Sequence, residues 1–79
     1  MIAHLKKVSA DDRKIIYKYS YLDPILDGLI EIDLLKNETK INLTDEKWAN
    51  MRMAKLAAAK IMSWHIQNKL PDQYTICTG

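Results

Sequence analysis

The stretch Leu29-Ile-Glu-Ile-Asp-Leu-Leu-Lys-Asn-Glu-Thr-Lys-Ile-Asn-Leu-Thr44 decides the fold. Read as strands, it alternates. Ile30, Ile32 and Leu34 share one side of 29–35, and Glu31 and Asp33 share the other. Successive side chains of a strand point to opposite faces, so this pattern gives one apolar and one solvated face. Lys36-Asn-Glu-Thr39 supplies turn residues, and 40–43 alternates again with Ile41 and Leu43 together. Asp27-Gly28 punctuates the start. Read as a helix, 24–36 begins well, with Asp23 as cap and Pro24 at the first position. Gly28 then sits inside it, and Asp33 falls in the middle of its apolar face. The β-hairpin reading is preferred.

The same period extends upstream. Ile15-Ile-Tyr-Lys-Tyr-Ser-Tyr-Leu22 is rich in β-branched and aromatic residues, with Tyr17, Tyr19 and Tyr21 alternating with Lys18 and Ser20. That favours a strand over 14–22. Residues 2–8 pair with it across a Ser9–Asp12 turn. The competing reading is a helix over 10–20, capped from Ser9, Asp11 or Asp12.

Downstream lies a long helix over 45–69. Thr44 is a good cap, Asp45 and Glu46 suit the first turn, Lys69 suits the last, and Pro71 stops it. At 1.5 Å per residue it measures about 37 Å, against about 23 Å for a seven-residue strand. One apolar stripe carries Trp48, Met51, Ala58, Met62 and Ile66; a second carries Met53, Ala54, Ala57, Ile61 and Trp64. Arg52, Lys60, Ser63 and Gln67 are confined to a narrow side. A helix apolar on two sides is normally buried on more than one face. The tail, 71–79, is either an extended segment along a sheet edge or a frayed end.

The expected fold is therefore α+β: a small antiparallel sheet of about four strands in hairpins (2–8, 14–22, 29–35, 40–43) packed against one long C-terminal helix (45–69). The alternative is an all-α domain of helices 10–20, 24–36 and 45–69. The chain has 79 residues, which suits one domain, 1–79, and excludes a two-domain enzyme or a full dinucleotide-binding or barrel fold. Hydrophobic residues at 48% and charged residues at 28% are globular rather than disordered composition.

Net charge is +2, well short of a dedicated nucleic-acid binder. Its distribution is uneven: residues 1–18 carry +3, residues 19–46 carry −5 and residues 47–79 carry +4. The single cysteine, Cys77, allows no internal disulfide, which points to a reducing compartment. The opening MIAHLKKV lacks the apolar run of a signal peptide, and no stretch approaches the ~20 apolar residues of a membrane span. A cytoplasmic protein without membrane contact is expected.

Chemistry-bearing constellations are weak. His4, His65 and Cys77 have no metal-ligand spacing, so no metal is expected. A Cys77–His65 nucleophilic pair would need a thiol held rigidly against its base, and Cys77 lies close to the chain end. Asp23 with Asp27, and Glu31 with Asp33, read as solvated charge rather than an acid–base pair. No glycine-rich phosphate loop is available, because the only glycines are Gly28 and Gly79. No catalytic residue, cofactor or small-molecule substrate is expected.

Two surfaces invite binding. Trp48, Met51, Met53, Ala57, Ile61 and Trp64 form a candidate protein interface, for another protein or for self-association into a homodimer through helix 45–69; tryptophan anchors interfaces and methionine adapts to them. Lys6, Lys7, Arg13, Lys14 and Lys18 with Tyr17, Tyr19 and Tyr21 form a candidate nucleic-acid contact, in which the tyrosines stack unpaired bases. The competing role for those tyrosines is core. The expected function is a small non-enzymatic protein-binding module that acts as an inhibitor or regulator by occupying a partner's surface. The alternative is a single-stranded nucleic-acid-binding or regulatory protein. The small size and the lysine, isoleucine and asparagine bias suit a phage or mobile-element protein.

Overall fold

Two aspartates set the tight turns that build the sheet. In the computed structural model, which describes residues 2–21, 28–43 and 48–77, with backbone alone at Tyr21, Trp48 and Ala49, the Asp11 carboxylate accepts hydrogen bonds from the Arg13 and Lys14 N–H groups at 2.7 and 2.8 Å. The Asp33 carboxylate accepts from the Leu35 and Lys36 N–H groups at 3.0 and 3.1 Å. Aspartate is favoured at such sites because its short side chain reaches the backbone two and three residues on. These donors hold both carboxyls below their ordinary value. Asn37 closes the second turn at φ 55°, a left-handed conformation that asparagine tolerates.

The elements in chain order are β1 (Ile2–Ala10), β2 (Lys14–Tyr21), β3 (Gly28–Asp33), β4 (Glu38–Asn42), α1 (Trp48–Ile66) and β5 (Gln73–Cys77). The fold is α+β, and the all-α alternative is not supported. The five strands lie in the order β4-β3-β2-β1-β5, every neighbouring pair antiparallel. A meander of β1 to β4 is followed by α1, which returns the chain to the opposite edge as β5.

Register explains the core. Leu5 lies opposite Tyr19 and Tyr74, Tyr17 opposite Ile30, Ile15 opposite Ile32, and Ala3 opposite Ile76. All but Tyr74 are buried on the face that α1 covers with Met53, Ala54, Ala57, Ala58 and Ile61. Those helix positions recur at three- and four-residue steps, which places them on one side of α1. The alanines let the helix backbone approach the sheet closely. Gly28 has a similar role opposite Tyr19: a Cβ there would come within 2.8 Å of the Tyr19 carbonyl oxygen and 2.9 Å of Leu43 Cδ2.

Several boundaries differ from the sequence reading. The first strand runs to Ala10 rather than 8, because a bulge between Lys7 and Ser9 accommodates Val8 and lets pairing continue to Ala10↔Ile15. The third stops at Asp33 rather than 35, since the Asp33 carboxylate captures the next backbone donors; the fourth begins at Glu38 rather than Lys40. The helix ends at Ile66 rather than 69. Asn68 adopts φ 56°, its N–H donates to the His65 carbonyl at 3.0 Å, and the Lys69 N–H donates to the Trp64 carbonyl at 2.8 Å. That pair of bonds closes a helix at a left-handed residue. The end at Ile66 takes three residues, about 4.5 Å, off the expected helix. Within the tail, Gln73–Cys77 forms a fifth strand. The expected starts at Thr44–Lys47 and the cap at Asp23 lie outside the described residues.

Candidate functional site

The helix positions chosen as a protein interface divide. Met53, Ala57 and Ile61 are buried at 5%, 0% and 0% exposure, facing the sheet of their own chain. They are core and offer no surface, which corrects the expectation. Met51 is half-buried, and the Trp48 side chain lies outside the described residues. Trp64 is half-buried among aromatics: its ring centroid lies 6.4 Å from that of Tyr17 and 4.7 Å from that of Tyr74, the latter edge-on. It fastens β5 to α1 from within. Of the two stripes, the second packs on the sheet and the first is split: Ala58 is buried and Met62 packs against the core, whereas Ile66 is 78% exposed. Leu56, which belonged to neither stripe, is 47% exposed.

The basic and tyrosine set also divides. Tyr17 and Tyr19 face the helix and are buried, so neither ring can stack a base. The Tyr17 hydroxyl donates to the Pro71 carbonyl, and the Tyr19 hydroxyl donates to the Asn50 carbonyl at 3.2 Å. Burial pushes the Tyr17 phenol up to about 12, with the Asp72 carboxylate adding to the shift. The Tyr21 side chain lies outside the described residues. Lys7 is engaged with Asp72 at 3.0 Å and Lys14 with Glu31 at 2.9 Å. Lys6 and Lys18 stand directly opposite each other on the face away from α1, and both are exposed, as is Arg13.

Among the described residues, no three histidine, cysteine, aspartate or glutamate side chains gather as a metal site. Thr75 Oγ1 lies 3.4 Å from His4 Nδ1 across β1 and β5, a cross-strand polar contact. Glu31 and Asp33 are each engaged, by Lys14 and by the turn. No helix among the described residues is long and apolar enough to cross a membrane.

Of the two readings of the tail, an extended segment along a sheet edge and a frayed end, the structure has the first: Gln73–Cys77 is an edge strand. Along β1 and β5 the register is continuous from Ile2↔Cys77 to Lys6↔Gln73, and just beyond it the Lys7 N–H donates to the Asp72 carbonyl at 2.8 Å. Backbone bonding alternates along an antiparallel pair. Tyr74 and Ile76 therefore direct their backbone groups to β1, whereas Gln73, Thr75 and Cys77 direct theirs outward. Beside this edge, Leu56, Ala59 and Lys60 of α1 with Ile76 and Cys77 of β5 line a shallow groove of about 380 Å³. Lys60 Nζ sits 5.3 Å from the Tyr74 ring centroid, over the strand. The sequence signal was present in Tyr74 and Ile76, two apolar residues at strand spacing after Pro71.

Comparison with models of protein families, with curated proteins and with solved structures finds no match to this chain.

Proposed function

We propose that the protein is a small non-enzymatic binding module that occupies a surface of a partner protein, as an inhibitor or regulator does, through the outer edge of β5 and the groove beside α1. One observation supports the reading above the others: β5, Gln73-Tyr-Thr-Ile-Cys77, is an edge strand without a charged residue. Outward backbone groups at 73, 75 and 77 offer main-chain hydrogen bonds to an added strand, and the groove offers a place for its side chains. Folded proteins usually blunt such an edge with charge, proline or a covering segment.

The test is a titration of a polypeptide captured by the immobilised chain against wild type, Thr75→Pro and Lys40→Ala. Proline at 75 removes an outward donor while leaving the bonds to β1, so binding should weaken at least about tenfold, whereas Lys40→Ala on the opposite edge should bind as wild type. Equal binding by Thr75→Pro, or capture of nothing, would count against the edge.

A second reading, single-stranded nucleic acid at Lys6, Lys18 and Arg13, draws on one observation: Lys6 and Lys18 face each other across β1 and β2, where like charges are unfavourable unless an anion lies between them. Without the buried tyrosines it rests on three cations. Those would give a salt slope of only about −2 and weak binding. Fluorescence titration of mixed-sequence oligonucleotides at low salt tests it; no binding there removes it.

A further inference from the structure

We infer that in the isolated protein the β5 edge is occupied by a second copy of this chain, paired antiparallel about a two-fold axis at Thr75. The inference rests on the edge reading above and concerns its regulation: a foreign strand must displace the second copy.

Three features of the edge fit a copy of itself. First, the strand is its own complement. A two-fold through Thr75, perpendicular to the sheet, sets Tyr74 against Ile76 of the second copy, and Gln73 against its Cys77. The outward-facing groups at 73, 75 and 77 then meet one another in alternation. Helices from both copies stay on the same face of a continuous sheet, so Tyr74 and Ile76 meet Ile76 and Tyr74 beside the groove. Tyr74 is 39% exposed and Leu56 47% exposed in the single chain, and both border what would be covered.

Second, charge matches across the axis. Lys60 reaches over Tyr74 and lines the groove with Ile76 and Cys77. On the helix side, Asp72 of the second copy arrives diagonally from Ile76, at a spacing of about 7–8 Å that a lysine side chain spans. Asp72 is 89% exposed at its side chain despite its contact with Lys7, so it can take a second cation. The two-fold makes this contact twice.

Third, the opposite edge carries charge where β5 carries none. β4 carries Glu38 and Lys40, both exposed. Charged edge residues disfavour self-pairing.

Size sets the expected strength. A standard interface takes about 800 Å² from each partner. A five-residue strand alone supplies less, so the Leu56 and Ala59 flank must contribute, and a dissociation constant in the micromolar range is expected.

The experiment is sedimentation equilibrium of the full chain up to about 500 µM, under reducing conditions because Cys77 is exposed. Far-UV circular dichroism is recorded on the same samples. Wild type should dimerise in the micromolar range. Thr75→Pro should weaken the dimer at least about tenfold with an unchanged spectrum. If Thr75→Pro fails to fold, Thr75→Lys serves: its side chain is exposed in the single chain and would place two ammonium groups across the axis. Lys60→Glu should weaken the dimer severalfold and reduce its sensitivity to salt. A wild type that stays monomeric throughout overturns the inference, while the edge reading survives if a captured polypeptide is lost on Thr75→Pro. A dimer indifferent to Thr75→Pro and Thr75→Lys overturns the inference, and the edge reading then falls only if a captured polypeptide is equally indifferent.

Discussion

The two edges of the sheet are built for opposite ends. At one edge, β4 is Glu-Thr-Lys-Ile-Asn, with charge on exposed residues and Lys40 set opposite Glu31 of β3. At the other, β5 is Gln-Tyr-Thr-Ile-Cys, with no charge, outward backbone groups and an apolar groove at its flank. β4 is a guarded border, joined to β3 by a tight turn. β5 is held to the rest of the chain by long-range contacts: Ile76 in the core, Trp64 against Tyr74, Tyr17 to the Pro71 carbonyl, and Lys7 to Asp72. The difference teaches that an uncharged edge needs anchoring from behind if it is to stay in place while its front remains free to pair.

The largest effect should come from cutting that anchorage. Ile76→Ala should cost ~2–5 kcal/mol in urea unfolding, a large share of the ~4–12 kcal/mol available to a domain this size. Ile41→Ala on β4, at a half-buried site, should cost about half as much or less. Equal costs would remove the contrast between the edges. Next, Gly28→Ala forces a Cβ against the Tyr19 carbonyl and Leu43 and should cost ~1–3 kcal/mol. That loss tests whether the β3 and β4 side depends on close backbone packing rather than on side-chain anchors.

A smaller effect is expected from Tyr17→Phe, which deletes the hydrogen bond to Pro71 at the approach to β5, worth about 1 kcal/mol. It carries a pH signature. The folded phenol titrates near 12 and the unfolded one near its ordinary 10.0. The unfolded chain therefore binds fewer protons across that window, and stability present below pH 10 is lost as pH rises through the folded value. Thermal unfolding from pH 9 to 12 should show a decline that Tyr17→Phe reduces. The smallest effect belongs to Lys40→Ala, within about 0.5 kcal/mol and without change in association state.

The sequence was most legible where structure is local. Alternation in 29–35 and 40–43, and the tyrosine period of 14–22, identified strands because each pattern lies within one segment. Asp11 and Asp33 set turns by reaching their own near neighbours, yet the boundaries shifted because the bulge at Val8 and the capture by Asp33 depend on geometry. Period two says that Tyr17 and Tyr19 share a face; it does not say which. Their burial follows from α1 covering that face, a non-local fact. Three of the expected helix-interface residues turned out to be core for a related reason. Met53, Ala57 and Ile61 are apolar at core spacing, and a core and an interface obey the same periodicity. β5 stays open between strand and frayed end in the sequence because its strand identity comes from pairing with β1, 71 residues earlier in the chain for His4 and Thr75.

The most direct measurement is amide hydrogen exchange at Thr75, followed by nuclear magnetic resonance as protein concentration rises from well below to well above the micromolar range. Its N–H points away from β1, so in the single chain it should exchange near the intrinsic rate. Protection at Thr75 that grows with concentration, while Ile76 stays protected throughout and the outward amides of β4 stay unprotected, is the predicted result. A Thr75 amide that exchanges at the same rate at every concentration would contradict the account.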